Sequence, residues 1–592
     1  MNIMNIIYII TTLLLLFLHM LIYKKEEKLN FISWLIISIE LLISYNICVC
    51  VILSFLKIKS TLLTLSIMNV IIDFILGIKI HRDKKTQKYN ILKFDIISVI
   101  IMFISVVIIT IMQYGIPINI KSSITDSATH YRVADEFYNY SKLLFEENSD
   151  IIGLFNEKAI MPGAYINTGI VFKVFSPIIE ETYFCKLFIV FDISMCLLSG
   201  LLMYALLGSN KKGIKNIISL IFSLIYMFAY PINSVLSGFS YLQVGLNTII
   251  CILFTMKQNL KQTYKDILIF LSNFGLMFSY YYFAPVVYIT IFIQIITEIK
   301  KRKESIFIPK NLLSIMISLI LPGLFGIMYF VIFQIMKFGI GSQSNTLSII
   351  NTPGPIYQNF ILNILILIFL AIFYIIYCLK NKKEDFSIKL LINAVIFLTI
   401  LFIGMKLQKV SEYYYYKAYY FLWIPLIYIS FNYIELLIEK NKILTYLGIG
   451  VYCLGITIAI MCDKNLLFFD IYQENFKEIR NEYKIISSQE LEILKYYNKN
   501  INCMDDNTYV FLAKNLGRAR WLYVITKNPY IYVDTEIGEQ PTSIQQFWDS
   551  GKKYCMILKN DNCEQILTEV RKAENLKILF QNDEGAIVEK IN

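Results

Sequence analysis

Charged residues are scarce in this sequence of 592 residues: Asp, Glu, Lys and Arg make up 17% of it, against about 25% in soluble globular proteins. Histidine occurs three times, and the eleven cysteines include no C-x-x-C pair and no zinc-ligand spacing. A P-loop, a dinucleotide fingerprint and the motifs G-x-S-x-G and H-E-x-x-H are also absent. These absences weigh against an ATP-driven pump and a membrane zinc protease, and no metal site is predicted.

Apolar residues are abundant instead. The sequence is 57% hydrophobic with a mean hydropathy of +0.58, which indicates an integral membrane protein. A helix needs roughly 17–25 apolar residues to cross a bilayer. By this measure the sequence predicts a polytopic α-helical membrane protein with fourteen spans, at 3–23, 31–55, 61–80, 94–114, 184–207, 214–230, 236–256, 265–283, 285–299, 311–336, 358–379, 387–404, 418–438 and 443–461.

Basic residues orient the predicted spans. They cluster after odd-numbered spans, for example at Arg82, Lys211 and Arg302. Because Lys and Arg mark cytoplasmic loops, we expect every odd-numbered span to end in the cytoplasm and both termini to lie outside the cell. Lys57 and Lys59, between the second and third spans, are an exception to this pattern. The basic residues behind the net charge of +11 lie in short loops between apolar runs. They therefore predict membrane lipids as partners, and no nucleic acid.

The spans divide the chain into four segments. Residues 1–115 and 184–462 carry the membrane spans, 116–183 form a long extracytoplasmic loop, and 463–592 have ordinary soluble composition and the size of a small domain. In the last segment, strand patterns at 508–512, 530–533 and 554–558 and a hairpin over 576–589 alternate with helix patterns near 488–498 and 563–572. They predict a C-terminal extracytoplasmic α/β domain.

The most informative stretch is 125–137, in the first long loop. Its apolar residues recur at helical spacing, so it predicts an amphipathic helix at the membrane surface. Thr125 is a suitable N-cap, while Asp126 and His130, four residues apart, share one face of the helix. The alternative is a solvated helix whose charges only keep it wet.

A second stretch, 406–420, places lysines on the outer face, where loops are otherwise poor in basic residues. Such cations favour an anionic partner, for example a lipid phosphate, and tyrosine rings and hydroxyls suit a sugar. The alternative is an aromatic belt with snorkelling lysines. Asp192, within the fifth span, is a further candidate, because acids inside membranes are rare; the alternative there is a packing contact. The candidates in the 406–420 stretch are Lys406, Lys409, Tyr413, Tyr414 and Lys417.

Two motifs in the first long loop carry a family resemblance. They are Asp126-x-x-x-His130-Tyr131-x-x-Ala134-x-x-Phe137 and Met161-Pro162-Gly163-x-Tyr165. With the many spans and the outer α/β domain, they resemble the GT-C superfamily of membrane glycosyltransferases, which includes lipid A aminoarabinose transferases and protein O-mannosyltransferases. The chain also departs from the family: four spans precede the acid, Ser127 follows it where many members have a second acid, and Pro162-Gly163 replaces a frequent Pro-Pro.

The resemblance implies an inverting glycosyltransferase in the plasma membrane of a bacterial-type cell. Its donor would be a polyprenyl-phosphate-linked sugar and its acceptor a cell-envelope glycan, lipid or protein. Asp126 would be the general base that deprotonates the acceptor hydroxyl. No cofactor is implied with certainty, and a divalent cation is left open. The residues expected to bind substrate or the departing phosphate are His130, Arg132, Tyr165, Lys406, Lys409, Tyr413, Tyr414 and Lys417.

Two other classes of protein stay open. A polysaccharide polymerase or ligase, or a flippase for lipid-linked sugars, would share the many spans and the outer cations. A binding or assembly protein would have no need for Asp126. A flippase should tolerate neutralisation of Asp126 and lose function when Asp192 is neutralised.

Overall fold

The structure is a computed structural model that describes most of the chain. The described residues are 3–22, 29–83, 87–121, 125–143, 162–208, 211, 213–329, 331, 360–462, 466, 468–481, 485–501, 507–511, 516–528, 543–559 and 564–591. For Thr125 and Asp126 the backbone is described and the side chains are not. Of the sequence predictions, Met161 and the strand at 530–533 lie outside the described residues.

The first part of the chain forms long helices that bracket two shorter ones. Two short parallel strands, β1 (Leu29–Asn30) and β2 (Tyr89–Asn90), pair the connection between the first two helices with the connection between the third and fourth. The two shorter helices occupy the long loop predicted from the sequence. The helices are α1 (Ile3–Leu21), α2 (Phe31–Phe55), α3 (Leu62–Asp83), α4 (Lys93–Tyr114), α5 (Thr125–Tyr140), α6 (Gly163–Phe175) and α7 (Phe184–Gly208).

The remaining membrane part continues as a helical bundle. Its buried polar side chains bond across helices, as they must where no water is available: Gln243 donates to Ser199 Oγ at 2.5 Å, and Ser199 donates to Asn247 Oδ1 at 2.5 Å. The helices are α8 (Ile214–Met227), α9 (Tyr230–Leu236), α10 (Ser240–Lys257), α11 (Gln262–Tyr280), α12 (Ala284–Lys301), α13 (Pro309–Ile315), α14 (Leu321–Tyr329), α15 (Phe360–Lys380), α16 (Phe386–Lys406), α17 (Glu412–Lys440) and α18 (Lys442–Cys462).

Twelve helical stretches among the described residues are long and apolar enough to cross a membrane, and the multi-pass helical fold is as predicted. The count differs from fourteen for two reasons. Gln262–Lys301 counts as one stretch, although a 3₁₀ turn at Tyr281–Phe283 separates α11 from α12. The predicted break falls there, with Pro285 in the first turn of α12, where a missing N–H is tolerated. The polar α10 is not among the twelve.

The C-terminal part contains the predicted α/β domain. Four strands run in the order β3-β4-β6-β5, with β3 parallel to β4 and the other neighbours antiparallel. Cys555, in β4, is buried. The strands are β3 (Thr508–Phe511), β4 (Tyr554–Leu558), β5 (Leu576–Asn582) and β6 (Gly585–Lys590), and the helices are α19 (Asp470–Arg480), α20 (Ser488–Asn500), α21 (Leu516–Thr526), α22 (Gln545–Asp549) and α23 (Glu564–Val570).

This domain is joined directly to the segment between α4 and α5. Ile120 and Ile486 form an antiparallel bridge, and Lys121 Nζ donates to the Asn481 carbonyl at 2.6 Å. Ser487 and Glu490 form a capping box at the start of α20. The buried Arg518 guanidinium in turn donates to Glu490 Oε1 at 2.5 Å. The domain is therefore held beside the loop that carries α5.

Candidate active site

The predicted helix at 125–137 is present as α5, but it is buried and not solvated. Ala128 and Ala134 have no exposed surface, and even the acids Asp135 and Glu136 are only 6% and 4% exposed. The helix lies between α6 on one side and α21 of the C-terminal domain on the other. The alternative of a solvated helix with purely solubilising charges is therefore wrong.

Small residues bring α5 and α6 close together. A Cβ atom at Gly169 of α6 would lie 2.6 Å from Phe137 Cδ1 and 2.9 Å from the Ala134 carbonyl oxygen, so only glycine permits this approach. At Gly163, the first residue of α6, an added Cβ would likewise lie 2.6 Å from the Phe278 carbonyl oxygen. The close approach accounts for the glycine after Pro162.

His130 lies at the centre of this contact. Its Nδ1 is hydrogen-bonded to the Tyr165 hydroxyl at 2.6 Å, and the two rings stack with centroids 5.3 Å apart. The Tyr241 ring, from the first turn of α10, lies 4.7 Å from the imidazole on another side. His130 is 6% exposed. The structure thus joins two residues that were each predicted to bind substrate, and it adds Tyr241 to them.

Lys417, in the second turn of α17, is buried next to the same tyrosine. It is 2% exposed, donates to the Tyr241 hydroxyl at 2.7 Å and also donates to the Tyr413 hydroxyl. Its Nζ lies 4.0 Å from the centroid of the Phe239 ring and 5.7 Å from that of Tyr280. Aromatic faces and phenol oxygens stabilise an ammonium group. We name this set the lysine–histidine cluster: His130, Tyr165, Phe239, Tyr241, Tyr280, Tyr413 and Lys417.

The other predicted binding residues lie elsewhere. Lys406 and Lys409 are exposed, at and just after the end of α16, and Lys406 Nζ lies 5.5 Å from the Phe402 ring of its own helix. Arg132 pairs with Glu136 at 2.7 Å, one turn along α5. The Tyr414 carbonyl accepts a hydrogen bond from Tyr282 at 2.9 Å. The exposed lysines are thus outside the buried cluster, and the roles predicted for these four residues stay predictions.

Asp126 belongs to the first turn of α5, one helical turn before His130. Its neighbour Ser127 is buried and lies against Gly238, in the connection between α9 and α10. That connection leads into Ser240, which lies close to the buried Asp192 of α7. The backbone at the start of α5 is therefore close to the α9–α10 connection.

Sequence reasoning missed Phe239 and Tyr241, because both fall inside a stretch predicted as an ordinary span. A usable signal was present: Ser237-Gly238-Phe239-Ser240-Tyr241 interrupts the apolar run with polar residues. Tyr280 lies in a short run of Ser and Tyr residues near the end of the predicted span at 265–283. Among the residues that the structure describes, no three His, Cys, Asp or Glu side chains converge as a metal-binding group.

The fold and the cluster define a multi-pass membrane protein with a buried group of polar and aromatic side chains among its helices, and with an α/β domain that packs against α5. No family model matches the chain, and no curated protein matches it. Solved structures do match. The archaeal oligosaccharyltransferase AglB from Archaeoglobus fulgidus, solved with an inhibitory peptide and a dolichol-phosphate, is 11% identical, with a TM-score of 0.41. The match covers 79% of this chain and 69% of that one.

ArnT from Cupriavidus metallidurans, solved bound to undecaprenyl phosphate, is 10% identical, with a TM-score of 0.45. The match covers 83% of this chain and 97% of that one. ArnT and AglB are GT-C enzymes, the superfamily that the sequence resembles. At these scores the similarity concerns the overall arrangement of the chain and assigns no residue a role.

Proposed function

We propose that this protein is a membrane glycosyltransferase that transfers a sugar from a polyprenyl-phosphate donor to a cell-envelope glycan, lipid or protein. The observation that carries the proposal is the buried ammonium of Lys417, which lies in one cluster with His130 of α5. Asp126 is the general base. The proposed reaction inverts the configuration of the anomeric carbon.

The chemistry requires one base and one cation. Asp126 takes the proton of an acceptor hydroxyl while the hydroxyl oxygen forms a bond to the anomeric carbon of the sugar. The bond between that carbon and the phosphate oxygen breaks, and polyprenyl phosphate leaves with the electron pair as an additional negative charge. A preorganised cation near this oxygen lowers the barrier, because it stabilises charge that develops only in the transition state.

Lys417 has the surroundings that this role needs. An ammonium in a low-dielectric site attracts a phosphate far more strongly than an exposed one does, since water screens less of the charge. The Tyr241 and Tyr413 hydroxyls, which now accept hydrogen bonds from Lys417, can instead donate to phosphate oxygens. Their rings, with that of Tyr280, offer apolar faces against which a sugar ring can pack.

His130 has a supporting role in this proposal. Its hydrogen bond to Tyr165 fixes the ring between α6 and α10. One turn after Asp126, it is on the same face of α5. We expect it to bind the donor phosphate or to orient the base.

Binding of the leaving lipid tests the cation directly. Undecaprenyl phosphate and the uncharged undecaprenol are titrated into the full-length chain in lipid nanodiscs. The wild type should prefer the phosphate. Lys417→Met should lose about tenfold or more of that preference, since charge-assisted hydrogen bonds contribute about 1.5–3 kcal/mol each. Lys440→Met removes an exposed charge at the other end of α17 and should change it little.

Equal affinity of the wild type for the two lipids would contradict the proposed function. Equal loss in the two lysine variants would show that the buried cluster has no special part in binding. A flippase would bind the phosphate too, and it would be recognised by normal function in Asp126→Asn.

A further inference from the structure

The C-terminal domain packs against α5 through its helix α21. The Tyr131 ring lies 5.6 Å from that of Trp521 in α21, and these side chains are 2% and 1% exposed. Phe188 of α7 completes this aromatic contact, 5.9 Å from Tyr131 and 6.4 Å from Trp521. The helix that carries Asp126 and His130 thus contacts both the membrane bundle and the domain.

An ion-pair bridge crosses the same interface. Lys527 Nζ, just after α21, lies 3.3 Å from Asp135 Oδ2 of α5 and 3.2 Å from Glu181 Oε2, in the turn before α7. Asn139 donates to the same Asp135 oxygen at 3.0 Å. Lys527 therefore ties α5 and the start of α7 to the domain at one point.

Burial and the ion pair have opposite effects on the pKa values of the two bridge residues Asp135 and Lys527. Burial raises the pKa of Asp135, although Lys527 opposes the shift. Burial would lower the pKa of Lys527, but Asp135 and Glu181 raise it. Removing the ammonium would leave the Asp135 carboxylate buried with its main counter-charge gone, which is the costly way to break a buried pair.

We propose that Lys527 is a positioning residue for the active site, so that the C-terminal domain sets the placement of α5. This inference rests on the proposed function only for the activity measurement described below; the amide-exchange measurement is independent of it. Asp135 is nine residues after Asp126, so the bridge is about 13 Å along the helix from the base. Release of α5 at that point permits it to tilt or rotate, and a displacement of about 1 Å at a reacting group can cost about 100-fold in rate.

The test compares three variants of the full-length chain in nanodiscs. Lys527→Met removes the bridge and keeps the length of the side chain, and Lys527→Arg restores the charge. Lys495→Met is the matched control: Lys495 of α20 pairs with Glu180 at 3.1 Å. Lys495→Met therefore removes a contact between the same domain and Glu180, the residue before Glu181, and leaves α5 untouched.

Two readouts are taken for each variant: amide hydrogen exchange, and release of undecaprenyl phosphate from a panel of undecaprenyl-phosphate glycosides with a cell-envelope extract as acceptor. Lys527→Met should speed exchange in residues 125–140 and leave peptides from α20 and β6 unchanged. Its kcat should fall about tenfold or more with KM for the donor little changed. Lys527→Arg should restore both readouts, and Lys495→Met should behave as the wild type.

Unchanged exchange over 125–140 in Lys527→Met would overturn the proposal, as would faster exchange spread over the whole domain. Equal effects of Lys527→Met and Lys495→Met would also overturn it, because they would show general anchoring of the domain. If the wild type releases no undecaprenyl phosphate from any donor, the proposed function fails, and the exchange readout still decides whether Lys527 holds α5.

Discussion

Replacement of Gly169 by alanine tests whether the spacing between α5 and α6 builds the site. The new Cβ would lie 2.6 Å from Phe137 Cδ1, and ordinary contact begins at 3.4 Å, so the two must separate by about 0.8 Å (3.4 − 2.6). Phe137 cannot simply turn away, because it is 3% exposed and its ring is covered by Lys173 Nζ at 4.3 Å. The Ala134 carbonyl, at 2.9 Å, is backbone and moves only with α5.

A shift of α5 by that amount has a defined consequence at His130. The Tyr165–His130 hydrogen bond would lengthen from 2.6 Å to about 3.4 Å, beyond the normal range. We expect Gly169→Ala to destabilise the chain by about 1–3 kcal/mol, the usual cost of overpacking, and to weaken undecaprenyl phosphate binding.

Gly77→Ala in α3 is the control for this prediction, because nothing lies within 4 Å of the new atom. There the helix should be unaffected or stabilised by up to about 1 kcal/mol, since alanine is the better helix former. Thermal unfolding in detergent and lipid titration measure both effects. A Gly169→Ala protein that melts and binds as the wild type does would refute this account of the α5–α6 contact.

Three further predictions concern a hydrogen bond, a buried acid and the sidedness of the chain. Tyr165→Phe removes the hydroxyl bonded to His130 and should weaken lipid-phosphate binding by about three- to tenfold, the worth of one hydrogen bond; unchanged affinity would contradict this. Burial, with Asp470 nearby, raises the pKa of Glu474 in α19 to about 7 from 4.5. The folded chain thus holds a proton that the unfolded chain has lost, so thermal stability should fall as pH rises from about 4.5 to about 7, and Glu474→Gln should flatten this dependence. For sidedness, a cysteine at the exposed Asp583 should react with a membrane-impermeant thiol reagent in intact cells, and one at the exposed Lys303 only after lysis; the reverse pattern would overturn the predicted topology.

The sequence predicted the regular elements well because their signals are local. Long apolar runs marked the membrane helices, and the turn at 582–585 with strands on both sides marked the β5–β6 hairpin. The parallel pairing of β3 with β4, some forty residues apart, has no such local signal.

The site was predicted only in part, because burial and proximity depend on how distant helices pack. His130 and Tyr165 of the cluster were predicted from short motifs, and Lys417 from its position in a tyrosine-rich stretch. The same reasoning gave Lys406 and Lys409 equal weight with Lys417, since all are cations in one short segment. What separates them is that α17 turns Lys417 into the bundle, towards Tyr241, while the turn after α16 stays exposed.

The central claim is that Asp126 is the base of a sugar-transfer reaction, and Asp126→Asn tests it most directly. The wild type and this variant are compared in nanodiscs for release of undecaprenyl phosphate from undecaprenyl-phosphate glycosides, and separately for binding of undecaprenyl phosphate. The account predicts a loss of about 10²–10⁴-fold in release, the usual contribution of a general base, with binding of the lipid phosphate kept. Full activity of Asp126→Asn in the same assay would contradict it.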